Sequence, residues 1–247
     1  MFNFAYVMGT NPNRESVFRF KRFSVLNSNS AMKVGTDGVL LGAWCGVDGV
    51  ERVLDVGTGT GLIALMIAQR SPLAKVEAID IIPEAVDEAV WNVNQSPWAD
   101  RICVSCGDFN RIAVEDCGLH GSYDLVVSNP PFYKAQVKSP DYARSMARHG
   151  DGLDYCSLIR RCADGLLTPS GRLSMILPAE FDSDVTFEAE MRRMKIARKI
   201  SVFTKRASTM PSRTLWELSV DGTFTAEYGE LRIGSEEYHE LTEAFYL

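Results

Sequence analysis

The sequence lacks a hydrophobic run long enough to cross a membrane, which takes roughly 18 consecutive apolar residues. Its first residues also lack the charged segment followed by an apolar stretch that is typical of a signal peptide. The composition is that of an ordinary folded protein, with 46% hydrophobic and 23% charged residues. We therefore expect a cytoplasmic protein whose 247 residues form one large domain, or one domain with a small appendage.

The sequence is also poor in the patterns that bind metal ions. It has three histidines and six cysteines, of which Cys103 and Cys106 form a CxxC pair. No second CxxC or Cys/His pair lies at the spacing of a zinc site. We therefore expect no metal site, and we interpret the cysteines as buried thiols in a reducing compartment.

The sequence also has fewer basic than acidic residues, which gives a formal net charge of −6. This excludes a protein that is basic overall, so a nucleic-acid partner would need a local basic surface. Basic residues do cluster in three segments, at 14–22, 134–149 and 192–213, while acidic residues dominate after residue 217. Each basic segment could equally be a solvated charged face.

Apolar strand patterns alternate with helical patterns from Arg52 onward. This alternation predicts an α/β fold with a doubly wound, Rossmann-like mixed sheet of seven strands. The segments KISVFT and LWELSV are separated by a short loop and predict an antiparallel hairpin at one edge, followed by the strand pattern ELRIG.

The N-terminal part has a different pattern. Residues 17–27 alternate between apolar and basic side chains, which predicts a strand or hairpin with one basic face. Asp37 could cap a short helix that places Leu40, Leu41 and Trp44 in the core. We therefore divide the chain into an N-terminal extension over residues 1–45 and a main domain over residues 46–247.

Three glycines, Gly57, Gly59 and Gly61, follow the apolar strand RVLDV at single-residue intervals. Glycine permits a tight turn and lets a ligand approach the backbone, and the helix that follows begins with free N–H groups. The GxGxG spacing differs from the GxGxxG of a dinucleotide site, and Asp55 precedes it by two residues. The pattern resembles the first motif of class I methyltransferases, although an ordinary tight turn remains an alternative.

Two further acids come at the ends of the next two strands. Asp80 ends the second strand, where a carboxylate commonly accepts hydrogen bonds from ribose hydroxyls. Asp108 follows the third strand and precedes Phe109. The methyltransferase resemblance implies that Asp108 accepts from an adenine amino group and that Phe109 packs on the ring. Together these residues predict a site for S-adenosylmethionine at one sheet edge.

The fourth strand ends in Ser128-Asn129-Pro130-Pro131-Phe132-Tyr133. The prolines remove two N–H donors, so carbonyl oxygens are left as acceptors beside the amide oxygen of Asn129. Two adjacent acceptors match a planar amino group, and Phe132 can stack on a base. We therefore predict methyl transfer to an exocyclic amino nitrogen, with Asn129, Pro130 and Phe132 as the catalytic group and Asn129 also facing the cofactor.

This motif is shared by methyltransferases that act on adenine N6, guanine N2 and protein glutamine. The segments Phe20-Lys21-Arg22-Phe23 and Ala31–Trp44, with Asn94–Ala99 and the ending Thr242–Leu247, resemble the bacterial tRNA1(Val) adenine-37 N6-methyltransferases. The resemblance extends from about residue 17 to the end. It implies that the anticodon loop of a tRNA is the partner, with no obligate protein partner evident.

The resemblance also implies roles for residues outside the strand ends. Lys33, Thr36 and Asp37 would lie over the cofactor, although Thr36 and Asp37 could instead only cap a helix. Substrate contacts are expected from Phe132 and from the residues that follow it, namely Tyr133, Lys134, Arg144 and Arg148. The alternatives are methylation of guanine N2 or of a protein glutamine, or an RNA-binding protein with a vestigial cofactor pocket.

Overall fold

The computed structural model describes residues 17–28, 34–111, 122–132, 153–204, 207–222 and 225–247. The strands are β1 (Val17–Arg19), β2 (Ser24–Leu26), β3 (Arg52–Val56), β4 (Lys75–Asp80), β5 (Ile102–Cys106), β6 (Tyr123–Ser128), β7 (Leu167–Pro178), β8 (Lys195–Phe203), β9 (Arg213–Ser219) and β10 (Glu227–Arg232). The α-helices are α1 (Thr36–Trp44), α2 (Leu62–Arg70), α3 (Pro83–Asn94), α4 (Tyr155–Arg161), α5 (Asp182–Met191) and α6 (Glu236–Thr242). Lys33, Tyr133, Lys134, Arg144 and Arg148 lie outside the described residues.

The main sheet has the strand order β10-β8-β9-β7-β6-β3-β4-β5. Strands β3 to β7 run parallel, and β9 is antiparallel to both β7 and β8. The predicted mixed, doubly wound sheet with its antiparallel hairpin is therefore confirmed. It has eight strands rather than seven, because the ELRIG segment forms β10 and pairs parallel with β8 beyond the hairpin.

The core occupies both faces of this sheet. Val53 and Leu54 are consecutive residues of β3, yet Val53 packs into one apolar cluster and Leu54 into the other. Successive side chains of a strand point to opposite faces, so a strand buried on both sides contributes to two cores. Leu40 and Leu41 of α1 are fully buried in the first cluster, as predicted. The division at residue 45 stays a prediction.

The N-terminal hairpin predicted from the alternation at 17–27 is confirmed, because β1 and β2 pair antiparallel. Its turn is packed by Phe20 and Phe23, whose rings stack with centroids 4.6 Å apart. Lys21 Nζ donates to the backbone oxygen of Glu243, and Phe23 contacts Trp98 edge-on. These contacts attach the hairpin to the C-terminal end and to the loop after α3.

Cys103 and Cys106 are exposed on β5, so the expectation that the cysteines are buried is wrong for this pair. The strand is at the sheet edge, which leaves these side chains accessible. Within the described ranges, no group of three or more His, Cys, Asp or Glu side chains could hold a metal ion. No helix in the same ranges is long and apolar enough to span a bilayer.

Candidate active site

The glycine turn joins the end of β3 to α2. Gly57, Gly59 and Gly61 have φ angles of 69°, 56° and 80°, in the left-handed region that side chains disfavour. A Cβ atom on Gly57 would also lie 2.9 Å from Leu153 Cδ2. The turn therefore needs glycine for its backbone conformation, as the spacing predicts.

Asp55 supports this turn from inside the protein. The side chain is fully buried, and its Oδ2 accepts from the Thr58 hydroxyl at 2.7 Å and from the Ala64 N–H at 3.1 Å. Burial raises the pKa of this carboxyl to about 7. Asp55 thus ties the loop to the first turn of α2, and its predicted contact with the cofactor stays a prediction.

Asp80 ends β4 beside the same loop. Its Oδ2 accepts from the Gly59 N–H at 2.9 Å, and its Oδ1 accepts from the Ile82 N–H at 3.0 Å. Each oxygen of a carboxylate can accept a further hydrogen bond. Asp80 is only 9% exposed, yet Ile81 and Ile82 after it are 60% and 44% exposed. The sequence does not predict that these two apolar side chains are exposed beside Asp80.

Asp108 and Phe109 follow β5, which ends at Cys106, and both make contacts within the protein. The predicted contact of Asp108 with an adenine amino group stays a prediction. The Asp108 carboxylate accepts from the Asn110 N–H at 2.9 Å and pairs with Arg111 at 3.2 Å. The Phe109 ring is 4% exposed and lies under the guanidinium of Arg161 at 5.0 Å. The predicted role of Phe109 stays untested, and its burial does not support stacking on a cofactor ring.

The Asn129-Pro130-Pro131-Phe132 segment leaves the sheet next to the glycine turn. The Ser128 hydroxyl donates to the Val56 carbonyl at 2.7 Å and so fixes the end of β6 against the end of β3. Pro130 is buried and Pro131 is exposed, while Asn129 and Phe132 are half-buried. The two motifs that the sequence placed on different strands are therefore adjacent.

A cavity of about 310 Å³ opens at this edge. It is lined by residues from the N-terminal segment, the glycine turn, the proline motif and the late hairpin: Val34, Gly35, Thr36, Asp37, Gly38, Gly57, Thr58, Gly59, Thr60, Leu62, Ile63, Asn129, Thr204, Arg213 and Ile233. Of the predicted cofactor residues, Thr36, Asp37, Gly57, Gly59 and Asn129 are brought together here. Asp55, Gly61, Asp80, Asp108 and Phe109 do not line the cavity.

Asp37 does not cap α1. The N-cap is Gly35, and Asp37 lies inside the first turn, where its carboxylate pairs with Arg213 Nε at 2.8 Å. The interpretation of Asp37 as a cap is therefore wrong, because a partner 176 positions away holds the side chain. The sequence places Arg213 only in the basic segment 192–213, and nothing in the local sequence indicates that it faces the cavity.

Comparison with known proteins agrees with this arrangement. Residues 40–204 match the family model described as "Methyltransferase small domain". A tRNA1(Val) (adenine(37)-N6)-methyltransferase of Bacteroides thetaiotaomicron is 42% identical over 236 residues, covering 93% of this chain and 97% of the relative. The protein of the same name from Aeromonas hydrophila is 38% identical, with 95% and 98% covered. The chain belongs to this methyltransferase family.

The fold is also similar to that of a solved methyltransferase structure. An Agrobacterium tumefaciens protein described as a predicted O-methyltransferase superimposes with a TM-score of 0.66 at 18% identity, covering 85% of this chain and 96% of that one. Such a distant likeness shows the fold alone. Family membership confirms the resemblance seen in the N-terminal and C-terminal segments, and with it the prediction of a class I methyltransferase.

Proposed function

We propose that this chain transfers the methyl group of S-adenosylmethionine to N6 of adenine 37 in tRNA1(Val). The observation that carries the proposal is that Asn129 and the glycine turn line one cavity. A cofactor held by the turn and an amino group held by Asn129 would therefore be close neighbours. The names of the relatives supply the nucleotide and the tRNA.

The described residues fit the cofactor. The cavity of about 310 Å³ is within the range of small-molecule sites, and its glycine turn leaves backbone open to a ligand at the start of α2. Asp80 lies beside the glycine turn, outside the cavity lining, and would accept from the ribose hydroxyls, with the exposed side chains of Ile81 and Ile82 offering apolar contact to the adenine ring. Thr36 and Asp37 would hold the amino-acid end. Lys33 lies outside the described residues, and its part in this contact is proposed from the sequence alone. When bound, S-adenosylmethionine supplies an electrophilic methyl group.

The chain's own task is to orient the nucleophile. The lone pair of an exocyclic amino nitrogen is delocalised into its ring, which makes the nitrogen weakly nucleophilic. Acceptors at the Asn129 amide oxygen and the adjacent carbonyl would bind both N–H bonds and stabilise the positive charge that develops on nitrogen. Alignment of the nitrogen with the methyl group is an orientation effect that needs no dedicated base.

RNA is the favoured substrate because its loops present unstacked bases. Phe132 would stack on the target base, and Tyr133, Lys134, Arg144 and Arg148 would contact the surrounding anticodon loop. These four residues lie outside the described part of the chain, so their role is proposed from the sequence. A tRNA substrate implies that the enzyme works in the cytoplasm.

The test is incorporation of labelled methyl groups by the purified protein into four substrates. These are folded tRNA1(Val), its anticodon stem-loop, duplex DNA and a glutamine-containing peptide, with Asn129→Ala as the control for the catalytic site. Methylation of the tRNA that is lost in the control supports the proposal. Label in the peptide or DNA but not in tRNA would overturn the RNA substrate and leave only amino-group methylation.

A further inference from the structure

Arg213 connects parts of the active site that belong to distant segments. It is the first residue of β9, where it pairs with Pro178 at the end of β7 and with Val202 of β8. The side chain lines the cavity together with Asp37 and Asn129. A single guanidinium therefore lies at the junction of the N-terminal helix, the late hairpin and the proline motif.

Three contacts fix the plane of this guanidinium. Nε pairs with the Asp37 carboxylate at 2.8 Å, and Nη1 donates to the Ser212 carbonyl at 2.9 Å. The central carbon lies over the Phe132 ring, 5.1 Å from its centroid, which is within the range of a cation–π contact. Because the guanidinium is planar and rigid, contacts that hold its edge also restrict how it lies over the Phe132 ring.

Arg213 lies over one face of the Phe132 ring. A nucleobase that stacks on this ring would therefore have to use the other face. The plane of that ring then sets the plane of the stacked base, and with it the direction in which the exocyclic amino group points. A tilt of the Phe132 ring would move the amino nitrogen away from Asn129.

We propose that Arg213 is a positioning residue for the target adenine, anchored by Asp37 and acting through Phe132. The inference rests on the proposed function, because it needs a base to stack on Phe132. It differs from a phosphate contact, since the charge of Arg213 is already paired with Asp37 and its side chain is only 28% exposed. A paired, half-buried cation offers little net charge to an RNA backbone.

The informative variant is Arg213→Lys, which keeps a positive charge for Asp37 but has no planar face. We expect single-turnover methylation of tRNA1(Val) to fall about 10- to 100-fold, the scale of a small misplacement of reacting groups. Affinity for tRNA should stay close to that of wild type. Because Arg213 also lines the cavity, the rate is measured at saturating S-adenosylmethionine, which separates the effect on the base from any change in cofactor affinity. Fluorescence of 2-aminopurine placed at position 37 should report altered stacking of that base.

A matched control exists at the amino ends of the strands, on the side of the sheet away from the cavity. Arg52 lies over the Tyr123 ring at 5.2 Å and pairs with Glu77 at 3.3 Å, the same trio of arginine, aromatic ring and carboxylate. It is at the amino end of β3, away from the cavity. Arg52→Lys should leave both the methylation rate and the 2-aminopurine signal unchanged.

The decisive measurement repeats Arg213→Lys in a Phe132→Leu background. If Arg213 acts through Phe132, the second substitution should cost little once the ring is gone, because the two effects are not additive. If Arg213→Lys lowered the methylation rate in the Phe132→Leu background as much as it does in wild type, the inference would be overturned. It would also be overturned if Arg213→Lys methylated at the wild-type rate but bound tRNA more weakly and with a lower salt dependence. If Arg213→Lys has the methylation rate of wild type, the inference is overturned and the proposed function stands. If the wild-type protein itself fails to methylate tRNA, the proposed function and the inference are overturned together.

Discussion

The buried carboxylate of Asp55 should make the stability of this protein depend on pH in an unusual direction. Burial raises the pKa of Asp55 from 3.8 to about 7 in the folded protein. Between these values the unfolded chain has lost the proton while the folded chain keeps it. Folding therefore loses stability as pH rises, with no cost well below pH 4 and the full cost above about pH 7.

The size of the effect follows from the pKa. A difference of one bound proton changes the free energy of unfolding by about 1.4 kcal/mol per pH unit. From pH 5 to pH 7 the cost of ionising Asp55 therefore grows by about 2 kcal/mol, because the slope falls as the folded carboxyl itself begins to ionise near pH 7. Asp55→Asn removes the ionisation, while its amide oxygen can still accept from Thr58 or Ala64. Between pH 5 and pH 8 the variant should gain about 3 kcal/mol relative to wild type.

The assay is urea denaturation of both proteins at pH 5, 6, 7 and 8 and constant ionic strength. Subtracting one free energy of unfolding from the other cancels the titration of the shared groups that do not interact with Asp55. The control is therefore internal to the comparison. A difference between the two proteins that stays constant across this range would refute the reasoning that Asp55 is ionised at a cost in the folded state.

Three further predictions concern the proposed cofactor and substrate contacts. Asp80→Ala should weaken S-adenosylmethionine binding by about 1–3 kcal/mol in calorimetry, because the ribose hydroxyls lose their acceptor and the Gly59 N–H of the glycine turn loses its own. Asn129→Ala should lower the single-turnover rate by a factor on the order of 10²–10³, because a contact to the developing charge is lost, while cofactor affinity changes little. Phe132→Ala should cost about 1–3 kcal/mol of base stacking, measured as affinity for the anticodon stem-loop.

A control for these substitutions is available near the amino ends of the strands, away from the cavity. Asp124 accepts from the N–H groups of Glu51 and Arg52 at 3.0 Å, much as Asp80 accepts from two backbone donors. If Asp124→Ala weakened cofactor binding as much as Asp80→Ala, the ribose assignment would fail. A near wild-type rate for Asn129→Ala would contradict the proposed chemistry, and unchanged RNA affinity for Phe132→Ala would contradict base stacking.

The sequence predicts those parts of the site whose signals are local. The GxGxG turn has left-handed backbone at Gly57, Gly59 and Gly61, a conformation that only glycine adopts freely. The spacing of the glycines therefore predicts the turn directly. The Asn129-Pro130 motif can likewise be predicted from the sequence, because its functional groups belong to consecutive residues. Parallel strands end at a common edge, and this topology is enough to predict that the two motifs meet.

Other features depend on pairings between distant segments, which a single sequence does not reveal. Asp37 precedes an apolar helical pattern and therefore resembles a cap, but its partner Arg213 belongs to a hairpin near the other end of the chain. Phe109 follows the expected strand, yet its ring packs under Arg161 rather than facing outward. The parallel pairing of β10 with β8 also joins strands whose patterns do not specify a partner.

The central claim is that the methyl group reaches N6 of adenine 37, and the position-resolved product tests it most directly. Two tRNA1(Val) transcripts, one with adenine and one with guanine at position 37, would be incubated with the wild-type protein and S-adenosylmethionine. Ribonuclease fragments and nucleosides would then be analysed by mass spectrometry. We predict N6-methyladenosine in the fragment with adenine 37 and no methylation of the guanine transcript. Equal methylation of both transcripts, methylguanosine, or a methyl group elsewhere in the tRNA would contradict the proposed function.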